Sequence, residues 1–205
     1  MKVIGYFAFS AFCIFLLYGV SLFNDHGEPV TLTNDIIEPD ILLSNSKQYF
    51  EEHAYMRSLE HLKSAIDAIE VIEESIDEES REKVDKSVQQ LKVIYEEMSH
   101  DSFDISQLNE ASVKALNALT YAELKVSEHF VESHMTEKAK VALHYGMLHV
   151  KNALKFSEGS KKEYELEIYH ELDSLIQSGK LTNKEVLVKI ENMITDLEQE
   201  GFIQD

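Results

Sequence analysis

Cysteine occurs once, at Cys13, so no disulfide can form within the chain and no thiol nucleophile is available to the body that follows it. Tryptophan is absent. Proline occurs at Pro29 and Pro39 and never again. From Asp40 onward the chain therefore lacks the residue that removes a backbone donor and clashes with the preceding helical turn, which suits long helices. Basic residues are scarce: 19 Lys and Arg face 38 Asp and Glu, a formal net charge of −19. A nucleic-acid partner is excluded on that ground, because phosphate binding needs clustered Lys and Arg. A surplus of acid suits a basic or cationic partner. The seven glycines form no phosphate-cradling loop, and neither Gly-x-Ser-x-Gly nor His-Glu-x-x-His occurs. The acidic run Glu70–Ser80 lacks the alternating oxygen ligands and central glycine of a calcium loop. These gaps argue that the chain is not an enzyme.

What the chain does have is an apolar beginning. No charged residue interrupts Val3 to Phe23, a length that as a helix spans a hydrocarbon core of ~30 Å. Lys2 precedes it, and Asp25 and Glu28 follow. The positive-inside bias then puts the N-terminus in the cytoplasm and the body on the periplasmic or extracellular side. The competing reading is a secretory signal cleaved after Ser21, where Gly19 and Ser21 give a small-x-small pattern. Lipid attachment at Cys13 is disfavoured by Phe12 before it. Anchor and signal both place the body outside. Residues 24–46, with both prolines plus Gly27, Asn34 and Asn45, read as a linker whose pairs Ile36–Ile37 and Leu42–Leu43 can dock on the body.

Beyond the linker the apolar residues fall three or four apart, the spacing that stacks them on one helix face. Leu59, Leu62, Ile66 and Ile69 begin the series; Val84, Val88 and Leu91 continue it, and Ile190, Met193 and Leu197 close it. Helices are expected over 46–75, 79–99, 104–133, 136–158, 160–178 and 182–200. Asp104 with Gln107, and Thr182 with Glu185, read as capping boxes, each beside a staple pair (Phe103–Leu108 and Leu181–Val186). Gly159, Gly179 and Gly201 sit where helices stop. A shift of 57 residues aligns Leu59 with Leu116, Leu62 with Leu119, Val84 with Val141 and Leu91 with Leu148, which suggests a duplicated hairpin. The expected fold is all-α: one N-terminal transmembrane helix (1–23), then an antiparallel four-helix bundle over 47–158 made of two pseudo-repeated helical hairpins (47–100 and 104–158), then a C-terminal helical hairpin (160–205).

Histidines supply the candidate chemistry. His129, Glu132, His134 and Met135 gather at the tip of the second hairpin, and His with Met suits a soft transition metal, zinc or copper. His144 and His149 point about 140° apart on one helix, so one ion cannot take both. His144 shares its face with Lys140, Lys151 and Lys155, whereas His149 points toward the apolar side. Glu97–His100 and Glu167–His170 have the Glu-x-x-His spacing of di-iron bundles, but they fall at a helix end and beside the stripe; Glu123 alone occupies a stripe position. The expected role is that of a membrane-anchored, exported bundle acting by protein binding, as an adaptor, an accessory subunit of an envelope complex or a stress protein. Tyr164, Tyr169 and the acidic face are the surfaces to watch. The alternative is a metal- or cation-binding bundle.

Overall fold

The computed structural model describes residues 36–98, 103–178 and 182–201, and every regular element among them is helical. The expected anchor, 1–23, lies outside the described residues, as does most of the linker. No helix among the described residues is long and apolar enough to cross a membrane.

The first helix, α1 (Glu38–Glu51), begins inside the segment read as linker. Pro39 is the reason for both the reading and its correction. In a first helical turn the missing N–H costs nothing, and the fixed φ suits the helix. Glu38 and Asp40 place negative charge at the same positive end of the helix dipole. The single helix expected over 46–75 is instead α1 and α2 (Tyr55–Glu73), broken at His53 with φ of 61°. There the N–H of His53 donates to Phe50 O and that of Ala54 to Tyr49 O, the paired bonds that close a helix around a left-handed residue.

The remaining helices lie close to expectation. Helix α3 (Glu78–Glu97) is capped by Asp77, whose side chain accepts from the N–H of Glu79 and Ser80. Helices α4 (Ile105–Glu132) and α7 (Asn183–Asp196) carry the Asp104–Gln107 and Thr182–Glu185 capping boxes read from the sequence. Between them run α5 (Thr136–Ala153) and α6 (Gly159–Gln177), and α7 ends in a π-helical turn, Leu197–Gly201.

The helices close into two rings that share α4. In the first, α1 packs on α2, α2 on α3, α3 on α4, and α4 back on α1; in the second, α4 packs on α5, α5 on α6, α6 on α7, and α7 back on α4. The apolar side chains divide the same way. Leu43, Leu62, Ile69, Val84, Leu91, Leu108 and Leu116 belong to one core; Leu124, Phe130, Leu143, Val150, Leu172 and Ile190 belong to the other. Serving both, α4 is buried nearly all round: from Ala111 to Leu124 only Lys114 escapes burial. The bundle expected from hairpins 47–100 and 104–158 therefore does not close as drawn. Helix α2 packs on α1 and α3, not on α5, and α1 supplies the missing side.

The two rings repeat one another along the chain, with a spacing of 81 rather than 57. The starts of α1, α2 and α3 at 38, 55 and 78 fall on 119, 136 and 159: the midpoint of α4 and the starts of α5 and α6. Burial follows the same register. Ile36, Pro39, Asp40, Leu43 and Ser46 are buried, as are Asn117, Thr120, Tyr121, Leu124 and Ser127. His53 falls on His134, the only other non-glycine at positive φ among the described residues (59°). Past α3 and α6 the register becomes 78, matching Asp104 with Thr182 and Leu116 with Ile194. The 57-residue shift matched helix phase alone: it pairs α2 with α4 and α3 with α5, and the left-handed turns do not coincide.

Candidate functional site

Where α1, α4 and α5 meet, polar side chains interrupt the apolar packing. Asp40, in the first turn of α1, is fully buried. Its Oδ1 lies 2.8 Å from His149 Nδ1, and its Oδ2 accepts from Asn152 Nδ2 at 2.8 Å, both from α5. His149 is equally buried, and its Nε2 has no hydrogen-bond partner. Beside it, Glu123 projects from α4 with Oε2 buried and unpartnered. Gly146 of α5 faces them: a Cβ there would stand 3.6 Å from Glu123 Cβ and 3.8 Å from Thr120 Cγ2, at ordinary contact distance. Further along α4, Asn117 Nδ2 donates to Glu165 Oε1 of α6 at 2.9 Å, leaving Glu165 Oε2 buried without a partner. Asn117, Thr120 and Glu123 thus form a polar line at intervals of three along the shared helix.

Burial dominates the electrostatics. It pushes the carboxyl of Glu123 up to about 7 against the pull of His149, and that of Glu165 up to about 7 against the Asn117 hydrogen bond. Burial works against charge on His149. The Asp40 charge and hydrogen bond, helped by Glu123, outweigh it and raise the imidazole above its ordinary value. Tyr145 is raised by burial and by Glu123. The seam can therefore hold and release protons near neutrality. Neither of two surface grooves among the described residues is lined by residues of this seam.

Those grooves sit at corresponding places in the two rings. One, of about 410 Å³, lies between α3 and α4 and is lined by Gln89, Gln90, Val93, Ile94, Gln107, Glu110, Ala111 and Lys114. The other, of about 340 Å³, is lined by Glu171 of α6 and by Lys189, Asn192, Met193, Thr195 and Asp196 of α7. Under the repeat Gln90 falls on Glu171, Ala111 on Lys189 and Lys114 on Asn192. Similar in size, they differ in lining. Both carry charge, Glu110 and Lys114 in the first and Glu171, Lys189 and Asp196 in the second; the first adds an apolar strip of Val93, Ile94 and Ala111, with Val93 55% exposed.

The residues singled out from the sequence are placed as follows. His129, Glu132 and His134 are exposed at the α4–α5 turn, and Met135 is half-buried against the second core. His134 Nδ1 stands 3.0 Å from Asn183 Nδ2, and the His129 ring lies 6.0 Å from that of Phe130. Among the described residues no three His, Cys, Asp or Glu side chains gather to hold a metal ion. His144 is exposed and His149 buried, as their opposed directions imply. Glu97 accepts from Gln107, His100 lies outside the described residues, and Glu167 and His170 are exposed and outside the cores. Tyr164 and Tyr169 are half-buried against the second core. Asp40 went unrecognised because it sits beside a proline in what read as a linker. Glu165 was missed as one acid among many; only its place on the α6 stripe, between Ile168 and the helix start, marks it.

No protein-family profile, curated protein or solved structure matches this chain.

Proposed function

We propose that the chain is an exported, membrane-tethered helical scaffold that works by binding a protein partner, and that the α3–α4 groove receives that partner. One observation carries the choice of groove: of these two depressions, this one sets an apolar strip (Val93, Ile94, Ala111) among three uncharged amides (Gln89, Gln90, Gln107), with its charge confined to Glu110 and Lys114. The partner's chemistry follows from the lining and from the charge of −19: an apolar side chain inserted from a segment rich in Lys or Arg. The tether is the apolar run Val3–Phe23.

A photo-crosslinking side chain placed at Val93 of the full-length chain in its own membrane tests the reading. A discrete adduct is expected, lost on Ala111→Glu, with none from the same probe at Val188 of α7. Equal adducts from both positions, or none from 93, would overturn the groove. A C-terminal reporter active only in the cytosol would overturn the tether.

A further inference from the structure

The polar seam holds more acid than its partners can satisfy. Glu123 and Glu165 are both buried and each keeps one oxygen without a donor; Glu123 stands on α4, the helix the two rings share, and Glu165 reaches that helix through Asn117. A carboxylate oxygen can only accept, so an ionised Oε2 in either place is desolvated with nothing in return. A protonated Oε2 is itself a donor. In Glu165 the other oxygen, Oε1, already accepts from Asn117 Nδ2. We propose that Glu123 and Glu165 form an acid-closed latch: protonated, they let α5 seat on α4 and let Glu165 of α6 dock on Asn117, and their ionisation loosens both contacts.

The charged and titratable surroundings support this direction. Helix α1 presents Asp40, whose oxygens are taken by His149 and Asn152. Helix α5 presents His149 and Tyr145. Helix α3 presents Glu79 and Lys83, and the C-terminal π turn presents Glu198; these engage Lys125 and Tyr121 on another part of α4. Only the His149 charge opposes burial at Glu123, and only the hydrogen bond from the neutral Asn117 amide opposes it at Glu165. Each carboxyl therefore titrates near 7 when folded and near 4.5 when unfolded. Across that window the folded chain holds protons the unfolded chain has released, so stability is greatest at the acid end and falls as pH rises through it. His149, raised above 6.5, adds to the same trend: its contribution is complete below 6.5 and is lost above that value.

The test is the folding equilibrium of the full-length chain, measured by urea unfolding followed by circular dichroism, across pH 5 to 8. Stability should fall with rising pH, each carboxyl lowering the folding constant on the order of 100-fold. Glu123→Gln and Glu165→Gln, which mimic the protonated form, should each remove one such step while keeping the helix signal. A flat or rising wild-type profile, or Gln variants that fold and retain the full slope, would overturn the latch. Should the variants fail to fold, infrared spectra of the wild type decide. A protonated-carboxyl band present at the acid end and lost near pH 7 supports the latch; no such band at pH 5 overturns it.

Discussion

His149 and Asp40 stand 109 positions apart in the chain and 2.8 Å apart in the fold, both shut away from solvent. Their contact joins the first helix of one ring to the second helix of the other. Lys47 of α1 adds a second tie just past the end of α5, donating to Lys155 O at 2.8 Å and lying over the Phe156 ring. Asn152 holds the second Asp40 oxygen, so neither acceptor is left bare.

The repeat makes a paired prediction. Ser46 Oγ donates to Ser58 O at 2.9 Å, and Ser127 Oγ donates to Ala139 O at 3.1 Å, each across the turn that follows its helix. Both hydroxyls are buried. Ser46→Ala and Ser127→Ala should each cost about 1 kcal/mol in urea unfolding, and the double variant about the sum, since the sites share no partner.

The left-handed histidines make another. A non-glycine residue at this φ costs roughly 1–2 kcal/mol against a right-handed conformation, and glycine avoids most of that. His53→Gly should therefore raise stability by up to about 1 kcal/mol after the added freedom of the unfolded chain is counted. His53→Val should lower it by more than that. His134→Gly should gain a similar amount, because each histidine gives up one side-chain contact, His53 with Tyr55 Oη and His134 with Asn183.

Much of this fold was legible in the amino acids, and what was hidden has a physical cause in each case. Capping boxes at Asp104 and Thr182 are local chemistry, and local chemistry reads directly. The break at His53 was hidden because histidine is not the residue that usually marks a left-handed stop. The start of α1 was hidden because Pro39 means linker or first turn depending on what precedes it. The spacing of 81 was hidden because core positions accept any apolar residue of similar size, so Ile69 answers to Val150 and Ile94 to Leu175 without identity. Of the seam, Glu123 and His149 showed themselves by lying on apolar faces. Asp40 and Glu165 did not, since their burial comes from helices distant in sequence.

Gly146 gives a prediction of opposite signs at one position. A Cβ there meets its neighbours at ordinary contact distance, so Gly146→Ala should keep the packing of α5 on α4 and gain up to about 1 kcal/mol in helix propensity. Gly146→Leu has no such room beside Glu123 and Thr120 and should cost about 1–3 kcal/mol. Thermal unfolding of the two variants distinguishes this from a glycine that merely bends the helix, for which Ala would also be destabilising.

The account rests on α1 being locked to α5, and a double-mutant cycle at fixed pH measures that lock. Asp40→Asn, His149→Gln and the double variant should show a coupling of about 1.5–3 kcal/mol, because each single change strands the partner of a buried charged pair. Additivity within about 0.5 kcal/mol would mean the two side chains do not meet, and the two-ring arrangement would be contradicted.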